Sequence, residues 1–227
     1  LQAYQVGEAL EKSNPKIKIS YDFRQSLGDI NQSDPLWKMP EKGVFTEDFR
    51  QGLVQERWDL VVHSWKDLPV DRGEGTRLAG TLPRADQRDL LLFKKERLSK
   101  VKDQKILKLF SSSPRRIHNL TPFFKDHFPL GLNEVLFSEV RGNILTRLEK
   151  TIESSDVDGL VVAKAAIDRL LSVKREEFLP GQKRLKELLS FCYWQVLPLS
   201  LNPTAAAQGA LAIEIKEGRK DLQEILK

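Results

Sequence analysis

The chain has 227 residues, 40% of them hydrophobic and 30% charged, with a formal net charge of +5, as in an ordinary soluble globular protein with one large or two small domains. No apolar run approaches the roughly 20 residues of a membrane-spanning helix, and no signal-peptide pattern opens the chain. Cys192 is the only cysteine, which excludes an internal disulfide. We therefore expect a cytoplasmic protein without a membrane segment.

The first part of the chain alternates between helices and strands. Its predicted elements are a helix at residues 1–12, a strand at 17–23, a long polar loop at 24–42, a helix at 47–56 capped by Thr46, and strands at 60–62 and 78–82. Residues 90–93 are another apolar run, near a crossover between domains. A break near Leu90 suggests that the chain passes there into a second domain.

The second part continues the same alternation. Its predicted elements are strands at residues 106–110, 135–140, 158–163, 191–199 and 211–215, and helices at 114–120, 144–154, from 164 to 171, and 219–227. Residues 173–186 are predicted to be irregular with a turn at Pro180–Gly181, and residues 203–209 to form a loop. Strands that alternate with helices predict an α/β fold with mainly parallel sheets.

Asp67 lies just beyond the predicted strand at residues 60–62, beside Lys66. In open α/β sheets, ligands bind at the carboxyl ends of the strands. The pair is either a solvated surface ion pair or an acid/base carboxylate whose pKa is set by its neighbours. These residues alone leave both interpretations open.

A second strand end carries arginines. Ser113 is a suitable N-cap and Pro114 suits the first position of the helix that follows. Free backbone N–H groups, serine hydroxyls and the guanidinium groups of Arg115 and Arg116 then form an anion site. The alternative is a solvated basic helix start. Further arginines near strand ends are Arg141, Arg147 and Arg169, and Lys42 and Lys66 add positive charge.

Other site types find less support. The histidines lack metal-ligand spacing, so we expect no metal site. Cys192 lies in an apolar strand and is expected to be a buried, inert thiol. Nucleic acid is a weaker interpretation of the charge, because the basic residues lie at strand ends and are not interleaved with aromatic residues. A cleft lined by arginines instead favours a small ligand with several anionic groups.

The motifs resemble those of the porphobilinogen deaminase (hydroxymethylbilane synthase) family. The matching segments occur in family order at residues 28–29 (TRGD), 42–45 (GKGLF), 62–69 (VHSxKDxP), 111–116 (GTSSLRR), 141–148 (RGNxxTRL), 165–170 (AGLxRL) and 208–210 (PAxGQGA). The departures from these motifs are Leu27, Trp65, Phe110, Pro114 and Ala207.

The resemblance implies two periplasmic-binding-protein-like domains with the active-site cleft between them. We accordingly place domain 1 at residues 1–84, domain 2 at 85–200, and a return segment that completes domain 1 at 201–227. The family condenses four porphobilinogen units into hydroxymethylbilane, with release of ammonia, in tetrapyrrole and haem biosynthesis. The implied partners are porphobilinogen and polypyrrole intermediates, with neither nucleic acid nor a membrane, and the chain is expected to be a monomer.

The resemblance also implies roles for individual residues. Asp67 would be catalytic, stabilising the cationic azafulvene formed as ammonia leaves and helping to move protons. Substrate and cofactor binding would fall to Lys42, Ser64, Lys66, Ser112, Ser113, Arg115, Arg116, Arg141, Arg147, Arg169, Gln208 and Gly209.

The family carries a dipyrromethane cofactor linked to a cysteine of a third domain. Cys192 does not match that cysteine, and the family's first strand and third domain find no counterpart in this sequence. We therefore expect the covalent attachment residue to be absent from this chain. The alternative function is a non-catalytic anion-binding module with the same two-domain architecture.

Overall fold

The computed structural model describes residues 1–23, 44–70 and 73–227, without the side chains of residues 44–46. The chain forms two compact units. The first unit comprises Leu1–Ala85 and Ala207–Lys227, and the second comprises Asp86–Ala206. The units divide after residues 85 and 206, whereas the sequence-based domain boundaries lie after residues 84 and 200.

Helices and strands alternate along most of the described chain. The helices are α1 (Gln2–Ser13), α2 (Val44–Val54), α3 (Leu98–Gln104), α4 (Pro114–His127), α5 (Ile144–Glu153), α6 (Lys164–Leu171), α7 (Leu179–Ser190) and α8 (Lys220–Ile225). The strands are β1 (Leu60–Ser64), β2 (Thr76–Gly80), β3 (Asp89–Lys94), β4 (Ile106–Phe110), β5 (Glu134–Ser138), β6 (Gly159–Ala163), β7 (Cys192–Val196) and β8 (Leu211–Lys216). Short 3-10 turns occupy Trp65–Asp67, Lys95–Arg97 and Glu176–Phe178.

The first unit contains a three-stranded sheet in the order β1-β8-β2. Its centre is β8, which pairs antiparallel with both neighbours and places Ile213 opposite Val62 of β1. Val6 and Leu10 of α1 pack with Leu211 and Ile213 in the core of this unit. Burial of this apolar stripe of α1 fixes the helix against the sheet.

The second unit contains a five-stranded sheet in the order β5-β4-β6-β3-β7. One of its faces packs Leu91 and Phe93 of β3 and Leu107 of β4 against Leu120 and Phe124 of α4. The parallel strands β4, β5 and β6 are joined through α4 and α5. Such helical crossovers are the normal connection between parallel strands.

The predicted α/β class is confirmed, and the described sheets are mixed, with both parallel and antiparallel pairs. In each sheet one strand runs against the others, β8 in the first unit and β3 in the second. Each reversed strand is the first one after the chain passes from one unit to the other. No βαβ crossover sets the direction of these two strands, and a periodicity argument therefore does not detect their reversal.

Three local predictions are wrong. Residues 17–23 form no strand, and their alternation instead places Tyr21 and Phe23 beside Tyr4 of α1. Helix α4 continues through Pro122, because Leu120 and Phe124 on either side of it are buried in the core. Residues 179–190 form α7, in which Pro180 occupies the first turn, a position that a helix tolerates.

Candidate active site

Asp67 ends the 3-10 turn that follows β1. Its carboxylate is 66% exposed, and its Oδ1 lies 3.8 Å from Nζ of Lys66, which is 38% exposed. An exposed pair at this distance contributes little to stability. The carboxylate is therefore accessible to a ligand. It follows a strand that is held in the protein by the buried Val61.

The segment around Gly209 lies beside this turn. The Trp65 amide donates to the Ala210 carbonyl at 3.2 Å, and Oγ of Ser64 lies 2.7 Å from Nε2 of Gln2. The Gln208 carbonyl accepts from Nε of Arg84 at 2.9 Å, and the Gly209 carbonyl accepts from the Ala85 amide at 3.2 Å. The backbone carbonyls of two predicted ligand-binding residues thus stabilise the segment next to Asp67.

Sequence reasoning missed a buried network behind this turn. Nε2 of His63 lies 2.8 Å from Oε2 of Glu214, and Oγ1 of Thr76 donates to Oε1 of the same carboxylate at 2.6 Å. These side chains join β1, β8 and β2, and Glu214 is buried. A single acid within the apolar strand 211–215 was the available signal, because a buried charge requires a partner. The network anchors β1, the strand that leads into the turn of Asp67.

Ser112 joins two junctions in the second unit. Its hydroxyl donates to the Val140 carbonyl at 2.7 Å and accepts from the Val140 amide at 3.0 Å. Strands β4 and β5 are adjacent and parallel, so their carboxyl ends meet at one edge. Ser113 occupies the N-cap position of α4 as predicted, but its side chain makes no capping hydrogen bond.

Arg115 and Arg116 bind a carboxylate of the chain itself. Nη2 of Arg115 donates to Oδ2 of Asp89 at 2.8 Å, and Nη2 of Arg116 donates to Oδ1 at 2.7 Å. Nδ2 of Asn202 adds a third hydrogen bond at 2.9 Å. Asp89 is 1% exposed. Burial raises its pKa, but the two guanidinium groups and Asn202 outweigh burial and hold the pKa at about 2.

Three guanidinium groups approach one another near these junctions. Nε of Arg147 donates to the Gly142 carbonyl at 2.6 Å, and no carboxylate of the described residues contacts Arg147. Burial lowers the pKa of Arg147, and the positive charges of Arg116 and Arg141 lower it further. Nε of Arg116 is buried without a hydrogen-bond partner among the described residues. An anion bound here would relieve the repulsion and supply the missing acceptor.

Local geometry places this arginine group. Gly142 has a φ of +113°, and a Cβ atom there would lie 2.8 Å from the Thr146 side chain. The Asn143 side chain accepts from the Thr146 amide at 3.0 Å and caps α5, which carries Arg147. Glycine is thus required for the turn that delivers Arg147.

The remaining predicted site residues lie elsewhere. Arg169 is on α6 in the second unit, and burial lowers its pKa. Lys42 lies outside the described residues, as do residues 28–29. Within the described ranges, no group of three or more His, Cys, Asp or Glu side chains is placed to hold a metal ion. No helix in those ranges is both long enough and apolar enough to cross a bilayer.

Comparison with known proteins agrees with these motifs. Residues 1–224 match the family described as porphobilinogen deaminase, dipyromethane cofactor binding domain. The porphobilinogen deaminase of Synechococcus sp. (strain CC9605) is 32% identical over 232 residues, which cover 100% of this chain and 64% of the relative. That of Syntrophomonas wolfei is 32% identical over 225 residues, covering 99% of this chain and 65% of the relative.

The chain thus spans just under two thirds of the length of these curated relatives. Among solved structures, a probable amino-acid ABC transporter extracellular-binding protein from Bacillus subtilis aligns over 99% of this chain and 77% of its own, with a TM-score of 0.43 and 9% identity. That likeness is too low to carry an argument. The family match over residues 1–224 is sufficient, and the chain belongs to the porphobilinogen deaminase family.

Proposed function

We propose that this chain supplies the pyrrole-binding and catalytic residues of a hydroxymethylbilane synthase, a transferase of tetrapyrrole biosynthesis. The reaction condenses four porphobilinogen units head to tail and releases ammonia. The observation that carries the proposal is the group formed by Arg116, Arg141 and Arg147, in which the positive charges lie near one another and no carboxylate of the described part of the chain contacts Arg147. Porphobilinogen and its polymers carry acetate and propionate side chains, the anions that such a group binds.

Binding energy comes from charge-assisted hydrogen bonds to these carboxylates. Each is worth about 1.5–3 kcal/mol, more than a neutral hydrogen bond. Arg147 and Nε of Arg116 have already lost much of their hydration in the folded chain. Binding of a ligand therefore removes little further water from them. Arg115 and Nη2 of Arg116 hold Asp89, which fixes the position of the helix start that carries both arginines.

Asp67 contributes the catalytic carboxylate in this proposal. The carboxylate is exposed, and among the described residues its charged neighbour is the Lys66 ammonium at 3.8 Å. A negative charge there stabilises the positive charge that develops on porphobilinogen as ammonia leaves. It also accepts and returns a proton of the reacting pyrrole.

The residues present fit a dipyrromethane held by its carboxylates. The buried unpartnered Nε of Arg116 and the crowded guanidinium of Arg147 are suited to the acidic side chains of such a group. When bound, dipyrromethane supplies the pyrrole carbon to which the first substrate unit is joined. Cys192 does not fit covalent attachment, because it is buried and burial raises the pKa of its thiol to about 11.

A calorimetric titration tests the binding step. The chain is titrated with a dipyrromethane carrying free acetate and propionate groups, and separately with its methyl ester. We expect the acid to bind and the ester to bind at least tenfold more weakly, because the ester lacks the charges that the arginines recognise. Arg147→Gln should weaken binding of the acid by about tenfold or more.

The control variant is Lys186→Gln, since Lys186 is exposed on α7, where its Nζ donates to Oε1 of Gln182 at 3.1 Å. Equal losses in Arg147→Gln and Lys186→Gln would contradict a defined site. The alternative is a non-catalytic anion-binding module. It would be supported if the chain binds the acid but the full-length protein, with Asp67 intact, releases no ammonia from porphobilinogen.

A further inference from the structure

Glu214 lies in the central strand of the first unit's three-stranded sheet. Strand β8 pairs with β1 and β2, and the register places Glu214 between Val61 and Leu78. Its side chain is buried. Replacing a buried ion pair with apolar side chains is often neutral or stabilising, because both charges lose their hydration in the folded chain. Stability alone therefore gives no reason for a carboxylate at this position.

His63 joins this carboxylate to β1. In the ladder His63 lies opposite Ala212, and its Nε2 reaches diagonally to within 2.8 Å of Oε2 of Glu214. The two side chains are 9% and 5% exposed. Phe49 of α2 packs edge-on against the His63 ring, with the ring centres 6.0 Å apart. The contact is thus enclosed, and it depends on how β1 is aligned with β8.

This contact discriminates between the observed register and a shifted one. Because side chains alternate along a strand, a slip of one residue would turn His63 to the face on which Ile213 packs against α1. A slip of two residues in one direction would place His63 opposite Ala210, four positions from Glu214. Glu214 would then lose its contact with β1, which is costly for a buried carboxylate.

Ser64 opposes a slip in the other direction. Its Oγ lies 2.7 Å from Nε2 of Gln2 on α1, and it faces Leu211 in the ladder. A slip of two residues in this direction would move Ser64 opposite Ile213, within the apolar core that packs against α1. The hydroxyl group would lose its polar partner there. The two contacts together favour the observed register.

The register of β1 determines where Asp67 lies. The turn that ends at Asp67 follows β1 directly, and within it the Trp65 amide donates to the Ala210 carbonyl at 3.2 Å. Since an antiparallel strand rises about 3.4 Å per residue, a two-residue slip would displace this turn by about 7 Å. A displacement of about 1 Å can already lower a reaction rate by about 100-fold.

We propose that His63 and Glu214 are positioning residues that fix the register of β1 against β8 and so place the Asp67 carboxylate, an inference that rests on the catalytic role proposed for Asp67. Both act through the strand and not on the substrate. The arginine group proposed to bind the ligand's carboxylates belongs to the second unit. Loss of the contact should therefore lower kcat and leave KM nearly unchanged.

Two amide substitutions of His63 test the proposal in the full-length enzyme. Glutamine can place an N–H group near the position of Nε2, whereas asparagine is one methylene shorter and does not reach Glu214. His63→Asn should lower kcat for ammonia release from porphobilinogen by about tenfold or more, with KM changed by less than about twofold. His63→Gln should keep kcat within about threefold of the wild type, because the contact with Glu214 is restored.

Thr76→Val is the matched control. It removes the hydrogen bond from Oγ1 of Thr76 to Oε1 of Glu214 at 2.6 Å and leaves the contact with β1. It should lower the urea midpoint of unfolding, as His63→Asn does, but change kcat by less than about twofold. Hydrogen exchange reports the register without turnover, and the Trp65 amide should exchange about tenfold faster or more in His63→Asn than in Thr76→Val.

Should His63→Asn fail to fold, the double variant His63→Leu/Glu214→Leu takes its place, since it leaves no unpaired charge in the core. Near-normal kcat or unchanged exchange at the Trp65 amide would overturn the inference, and so would an equal loss of kcat in Thr76→Val. Retained turnover in Asp67→Asn would instead refute the proposed role of Asp67. The exchange rates would still test the register in that case.

Discussion

Asp89 and Arg116 form a buried ion pair in which Nη2 of the arginine donates to Oδ1 of the carboxylate at 2.7 Å. Arg116 also directs an unpartnered Nε into the protein and lies close enough to Arg147 to lower its pKa. The guanidinium of Arg116 thus contributes to the fold through two nitrogens, Nη2 to Asp89 and Nη1 to the Val161 carbonyl, and in the proposed function its Nε is the atom that meets a ligand. A substitution of Arg116 would change both the ion pair and ligand binding. A substitution of Asp89 therefore tests the contribution of the ion pair to stability more directly.

Asp89→Asn should destabilise the second unit by about 3 kcal/mol or more at pH 7, because it leaves two guanidinium groups near a neutral amide. The pKa of Asp89 is about 2 when folded, below about 3.9 when unfolded. Its stabilisation is therefore present above pH 4 and is lost as the pH falls towards 2. The difference in unfolding free energy between the wild type and the variant, measured by urea titration, should shrink by about 2 kcal/mol over that range.

Asp221→Asn is the matched control for this experiment. The pKa of Asp221 is also lowered to about 2, mainly by its hydrogen bond to Arg219, but its side chain is 59% exposed. Solvent screens such a pair, so the control should change stability little. A pH dependence as large as that of Asp89→Asn would show that burial is not the cause.

Ala207→Gly should stabilise the protein. Ala207 has a φ of +56°, in the left-handed region, at the position where the family motif has glycine. This conformation costs an L-residue about 1–2 kcal/mol, and the greater backbone entropy of glycine offsets about 0.5–1 kcal/mol of the gain. The net increase in unfolding free energy should be about 0.5–1 kcal/mol by urea titration. The neighbouring Ala206→Gly, where φ is not positive, should instead lower stability.

Asp67→Asn should lower the turnover of porphobilinogen in the full-length enzyme by about 100-fold or more, equivalent to roughly 3 kcal/mol of transition-state stabilisation. Binding of a free-acid dipyrromethane should change by less than about twofold, since an exposed carboxylate contributes little to holding an anion. Ammonia release and calorimetry measure the two effects. The exposed Glu74→Gln serves as the control, and near-normal turnover in Asp67→Asn would refute the assigned role.

The Cys192 thiol should react slowly in the folded chain. Burial raises its pKa to about 11, so at pH 8 roughly one molecule in a thousand carries the reactive thiolate. Alkylation by iodoacetamide should be at least about 100-fold slower than in the urea-denatured chain, whose thiol has a pKa of about 8.5. Fast labelling of the native chain would show that β7 opens readily.

Most strands could be predicted from the sequence, because their residues form apolar runs and these runs are buried in the core. Leu107 and Leu109 of β4 are fully buried, and the strand has the bounds expected from periodicity. Direction was missed for β3 and β8, since pairing between strands distant in sequence leaves no mark on local periodicity. The sequence does not predict helix α7, because Pro180 and Gly181 are typical of a turn, although Leu185 and Leu188 supply a buried face.

The candidate site was predicted only in part for the same reason. The positions of Arg115, Arg141 and Arg147 at junctions follow from local pattern. The pairing of Arg115 and Arg116 with Asp89 does not, because Asp89 lies 26 or more residues earlier at the start of a buried strand. The available signal of this pairing was the position of Asp89, a carboxylate directly before the apolar run 90–93.

The central position of β8 in the first unit has a consequence for the order of folding during synthesis. The second unit, Asp86–Ala206, is continuous in the chain, and all of its strands are synthesised before β8 is made. Strands β1 and β2 pair with β8 and not with each other, so their sheet lacks its central strand until residue 216 is translated. β1, the strand that leads to Asp67, is therefore among the first to be made and among the last to be fixed in place.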